Sequence, residues 1–150
     1  MAGYSIFNPD TGEIVQANKV YIDEPEHKKY EDQIRDLGQK FVKDKKAVVP
    51  RSTEKWYVRS GRHRSRPDMF IVVSSHVVKA GGVDAAVLRG CPIGATWALL
   101  LADVSNAPPL DSGVVDDPDM EFPFDTPGRY AVIFDRWPYK TLKINLEALA

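Results

Sequence analysis

Apolar and polar positions alternate with a period of two near the end of the chain. Tyr130, Val132 and Phe134 stand against Arg129, Ala131, Ile133 and Asp135. Leu142, Ile144 and Leu146 stand against Thr141, Lys143, Asn145 and Glu147. Successive side chains of a strand point to opposite faces, so this pattern predicts two strands over 129–135 and 141–148, each with one buried face. Thr126-Pro127-Gly128 supplies the turn before the first, and Trp137-Pro138-Tyr139 the corner between them. Tyr130 opens its strand where its phenol can reach backbone while its ring stays in a core. Shorter β-branched runs precede these: 69–73 and 76–78 around Ser74-Ser75, then segments flanking Asp84-Ala85-Ala86, and 96–101. Gly81-Gly82, Gly90 to Gly94 and 106–113 have turn and loop composition. Residues 120–124 alternate too, with Pro123 confining them to an edge or a bulge. About seven short strands in some eighty residues is the pattern of a small β-sandwich over 68–150.

The first 67 residues follow another pattern. Residues 4–7 and 13–17 flank Asn8-Pro9-Asp10-Thr11-Gly12, a hairpin with a five-residue loop. A helix is predicted over 24–44. Asp23 is its N-cap, Glu26 the capping-box partner, and Pro25 lies in the first turn. Tyr30, Ile34, Leu37 and Phe41 form one apolar stripe along it, and Lys43, Lys45 and Lys46 suit its negative end. Gly38 inside this helix costs about 1 kcal/mol. The stripe fits packing within its own segment and also a short coiled-coil contact with another chain. Trp56, Tyr57 and Val58 fit a short strand, and 59–67 has the composition of a basic loop. The chain thus reads as mainly β: an N-terminal hairpin and one amphipathic helix (1–67), then the sandwich domain (68–150).

Charge sharpens this division. Residues 1–67 carry 14 Lys and Arg against 10 Asp and Glu, a net of +4, and residues 68–150 carry 6 against 11, a net of −5. Opposite charge lets one segment dock on the other, or neighbouring copies dock head to tail. No apolar run approaches the roughly 18–20 residues of a membrane span, so membrane insertion is not expected. The sequence MAGYSIFNPD has no basic region followed by an apolar core, so no secretory signal is read there. Cys91 is the single cysteine, which excludes an intrachain disulfide and multi-thiolate zinc sites and fits folding in a reducing compartment.

Chemistry-bearing constellations are few. Arg59, Arg62, His63, Arg64 and Arg66 beside Trp56 and Tyr57 fit phosphate contact with base stacking, a solvated loop, or a grip on a neighbour's carboxylates. No nucleic-acid-binding motif surrounds them and the chain is slightly acidic, so nucleic acid is the less expected partner. Asp111, Asp116, Asp117, Asp119 and Glu121 lack the spacing of a calcium loop, and no metal is expected. His27, His63 and His76 stand far apart, with no carboxylate or thiol evidently partnered to them. Ser74-Ser75-His76 lacks the setting of a nucleophile elbow, and Cys91 reads as a small buried hydrophobe. The glycine pairs lack the residues of a phosphate loop. No catalytic residue and no cofactor is expected.

Two stretches, GGVDAAVLRGCPIGATW (81–97) and MEFPFDTPGRYAVIFDRWPYKTLKINLEA (120–148), resemble an Ig-like module of tailed-bacteriophage structural proteins, whose small carriers often open with a motif like Phe7-Asn8-Pro9-Asp10-Thr11-Gly12. The resemblance covers about 69–150, loosely 4–15, and leaves the helix unplaced. It implies a non-enzymatic virion component, tail-associated at the fibre, tip or baseplate, or decorating the capsid or neck. Its partners would be other virion proteins in multiple copies. An alternative is a host-surface module whose loops at 106–119 or 136–139 grip a glycan or receptor, a reading that needs Trp137 and Tyr139 exposed. A first segment too small to bury a core of its own would be stabilised by neighbouring chains. The interface residues expected on this reading are Tyr4, Ile6, Phe7, Tyr30, Ile34, Leu37, Phe41, Trp56, Arg59, Arg62, Arg64 and Arg66.

Overall fold

A computed structural model describes residues 2–20, 24–44 and 51–150. The chain is mainly β and forms two compact units, Met1–Arg66 and Pro67–Ala150.

In the first unit, β1 (Ala2–Phe7) lies between β2 (Ile14–Val20) and β3 (Lys40–Asp44), all antiparallel. The turn between β1 and β2 closes as Asn8 donates to Glu13 (2.8 Å) and accepts from Gly12 (2.7 Å) at the backbone. Alternation along β1 sends Ala2, Tyr4 and Ile6 to one face, where they form a buried core with Ile34 of α1 (Glu24–Asp36). Tyr30 and Phe41 pack against that core. The expectation of a segment without its own core is therefore corrected: four residues that alternate on β1 and α1 supply one.

The helix is shorter than its stripe. It ends at Asp36, and Gly38 takes φ +70° in a Schellman stop. The Gln39 amide reaches the Ile34 carbonyl (3.1 Å) and the Gly38 amide that of Arg35 (2.8 Å). The glycine read as an internal cost is the terminator, because a left-handed residue there satisfies the last carbonyls. Phe41 and Lys43 consequently lie on β3, and Leu37 points out at 74% exposure. The expected cap at Asp23, and Lys45 and Lys46, lie outside the described residues.

The stretch expected as a basic loop is half of a hairpin. β4 (Trp56–Arg59) pairs with β5 (Arg62–Ser65) through Ser60 and Gly61, whose φ values of 53° and 70° are those of a two-residue type I′ turn. The Val58 amide donates to the Gly12 carbonyl (2.8 Å), and Tyr57 bridges Glu13.

The second unit is an Ig-like sandwich. One sheet has the order β10 (Asp111–Val114), β9 (Thr96–Leu101), β12 (Gly128–Asp135), β13 (Leu142–Leu149), β7 (Val77–Lys79). The other runs β11 (Met120–Pro123), β8 (Ala85–Arg89), β6 (Val72–Val73). The first strand is split at Ser74-Ser75: β6 pairs antiparallel with β8, and β7 crosses to run parallel to β13. Val132, Phe134, Leu88, Ala86 and Val115 are at most 2% exposed between the sheets. Tyr130 stacks on Phe124 (4.2 Å between centroids) and donates its hydroxyl to the Thr126 carbonyl (2.7 Å). This is the tyrosine corner of Ig-like sandwiches. The 106–113 loop corrects in part, since its end forms edge strand β10. Pro123 sits on an edge strand, where its missing N–H leaves no gap in the ladder.

Candidate functional site: a basic hairpin face

The β4–β5 register sorts side chains by face. Tyr57 lies opposite Arg64 and Arg59 opposite Arg62. One step further, the Arg66 amide donates to the Lys55 carbonyl (2.8 Å). Residues two apart on a strand share a face. Lys55, Tyr57, Arg59, Arg62, Arg64 and Arg66 therefore belong to one side of the ribbon, and Trp56, Val58, His63 and Ser65 to the other. Lys55, Arg59, Arg62 and Arg64 are exposed, whereas Tyr57 and Arg66 are half-buried. Arg66 is tied by its guanidinium to the Thr53 carbonyl (3.1 Å). Arg59 and Arg62 face each other directly across the strands, an arrangement that disfavours the ribbon by like-charge repulsion.

The opposite side fastens the ribbon to its unit. His63 Nε2 and the Ser5 hydroxyl share a hydrogen bond of 2.7 Å. Burial pulls the His63 pKa below its ordinary value, the Arg51 charge pulls it further down, and Asp44 opposes them. Arg51 pairs with Asp44 (3.3 Å) and lies 4.1 Å above the Trp56 ring. A serine–histidine contact is also the beginning of a nucleophilic site. Ser5, however, is only 3% exposed, so an external carbonyl has no approach to its oxygen. The contact closes a protein interior. Across the sheet, the Tyr4 hydroxyl donates to Glu31 (3.0 Å), which also pairs with Lys43 (3.3 Å). Burial first, then Glu31, raises the Tyr4 pKa. Burial alone lowers Lys43, but Tyr4 and Glu31 more than offset it and leave its pKa raised.

The expected interface residues thus divide. Tyr4, Ile6 and Ile34 are core, with Tyr30 and Phe41 packed on it, and Phe7 is half-buried. Trp56 lies beneath Arg51. Leu37, Arg59, Arg62 and Arg64 remain at the surface. Sequence reasoning missed the Ser5–His63 contact, for which no local signal exists across 58 positions. The short strand expected at Trp56–Val58 is β4, but its partner β5 was missed, although Ser60-Gly61 was a usable turn signal.

In the second unit, Trp137 and Tyr139 are half-buried, and Tyr139 packs on the sandwich core. An open groove of about 520 Å³ crosses β12 and β13, lined by two cations, Arg129 and Lys143, and two anions, Asp103 and Glu147. Cys91 is 2% exposed, with its thiol pKa pushed up by burial and then by Asp119. Among the described residues, no group of three or more His, Cys, Asp and Glu is placed to hold a metal ion. No helix among them is long and apolar enough to cross a membrane.

No family model, curated protein or solved structure matches the chain.

Proposed function

We propose that the chain is a non-enzymatic structural component of a tailed-bacteriophage virion, tail-associated, with the first unit attaching it to neighbouring subunits and the second displayed or packed. The observation that carries this reading is where the two resembling stretches fall. Residues 81–97 contain β8 and open β9, and residues 120–148 span β11, β12 and nearly all of β13. The Thr-Pro-Gly-x-Tyr element within them is the tyrosine corner. A host-binding role for the Trp137 corner is the less favoured reading, because Tyr139 is used in the sandwich core.

The test is quantitative mass spectrometry of purified particles assembled from a genome encoding this chain. The expected result is the chain in multiple copies per particle, lost when residues 1–66 are deleted. Absence of the full-length chain from purified particles would overturn the proposal.

A further inference from the structure

The arginine face has a complement elsewhere in the same polypeptide. Residues 90–128 contain seven carboxylates (Asp103, Asp111, Asp116, Asp117, Asp119, Glu121 and Asp125) and no Lys or Arg. The topology gathers five of them. β10 ends one sheet and β11 ends the other, on the side of the sandwich away from β6 and β7. Asp111 lies on β10, Glu121 lies on β11, and Asp116, Asp117 and Asp119 lie in the segment that passes between them. All five are exposed. Strands β8 to β11 carry a single cation, Arg89.

We infer that the hairpin face of one copy docks on this acidic side of the second unit in another copy. The inference rests on the reading that the first unit attaches the chain, and it names the neighbour. Arg59 opposite Arg62 leaves a like-charge pair that an anionic partner relieves. Exposed arginines grip carboxylates through paired N–H donors. Complementary potentials also steer encounter and fix orientation. A polyphosphate partner is disfavoured because the second unit, net −5, repels it, whereas a second copy supplies both signs. The two patches differ, so the contact is head to tail and a bound pair keeps one free patch of each kind. Such contacts propagate into rings or filaments.

The experiment uses the full-length chain in sedimentation velocity, at low salt and at about 1 M salt, where the screening length falls to roughly 3 Å. The expected result is concentration-dependent self-association that weakens about tenfold or more at high salt. Two charge-reversed sets are then compared: R59E/R62E/R64E and D111K/D116K/D117K. Each is expected to be monomeric alone. An equimolar mixture is expected to associate, because the acidic hairpin of one variant meets the basic side of the other, and the reverse junction forms as well. Far-UV circular dichroism checks folding, and the neutral set R59Q/R62Q/R64Q repeats the loss without reversal. A wild-type monomer at all concentrations overturns the inference, as do variants that associate like wild type or a mixture that stays monomeric. Salt-sensitive binding of a labelled DNA duplex that R59E/R62E/R64E abolishes, without self-association, assigns the face to nucleic acid and also overturns it. A monomer still incorporated into particles rejects only the self-partner and leaves attachment standing.

Discussion

The two units solve the same problem with different chemistry. The second buries Phe134, Val132 and Leu88 completely between two sheets, and the hydroxyl of its buried Tyr130 has a backbone partner. Among the described residues, the core cluster of the first is Ala2, Tyr4, Ile6 and Ile34, with Ile14, Val58, Ser5 and His27 also buried. It adds polar contacts on both sides of one sheet: Tyr4 to Glu31 and Lys43, Ser5 to His63, Asp44 to Arg51. Apolar burial is insensitive to pH and is not screened by salt, whereas paired charges respond to both and the His63 imidazole responds to pH. The sandwich is therefore held chiefly by apolar burial, whereas the first unit adds hydrogen bonds and ion pairs to a smaller apolar core.

Four substitutions and one change of condition probe that contrast. Phe134→Ala is expected to cost the second unit about 3–5 kcal/mol through transfer and cavity terms. Cys91 reports it, because a thiol 2% exposed is labelled only when the sandwich opens. Faster labelling with unchanged amide protection in β1 is the expected outcome. Ile34→Ala is expected to cost the first unit about 2–3 kcal/mol, since a small core collapses partly around the cavity. Hydrogen exchange should lose protection in β1 and β3 while Cys91 labelling stays unchanged. Tyr130→Phe removes one hydrogen bond to Thr126 and should cost about 1 kcal/mol in the unfolding free energy of the second unit, read by chemical denaturation.

The smallest effect is on pH. The folded pKa of His63 lies below the unfolded value of about 6.5, so between the two the unfolded chain takes up a proton that the folded one refuses. Stability of the first unit should fall as pH drops through about 6.5 toward the folded value, and be flat above it until the alkaline range in which Tyr4 and Lys43, both with raised pKa values, lose their protons. His63→Gln should remove that slope. Cys91 labelling, which reads the second unit, should not follow the His63 slope.

The parts legible from sequence are those where one face of a strand is buried. The alternation in 129–135 and 141–148 became β12 and β13 because their apolar positions face one shared core. Thr126-Pro127-Gly128 and Tyr130 marked the corner for the same reason. β10 was illegible because all four of its residues are exposed and impose no period. β5 was illegible because Arg-His-Arg-Ser buries no apolar residue, so only its turn could announce it. Gly38 was misjudged because the Tyr30–Ile34–Leu37–Phe41 spacing continues past the helix by coincidence: Phe41 returns to the same core from a strand. The interface residues split on the same principle. Tyr4, Ile6 and Ile34 were found as apolar positions that require burial, but periodicity does not say whether the covering surface belongs to the same chain.

Attachment by the first unit, and by its basic hairpin in particular, is tested most directly by incorporation of the full-length R59E/R62E/R64E chain into particles, counted by mass spectrometry against wild type. The expected result is a drop of about tenfold or more, with the circular dichroism spectrum of the free protein unchanged. Incorporation equal to wild type would contradict it.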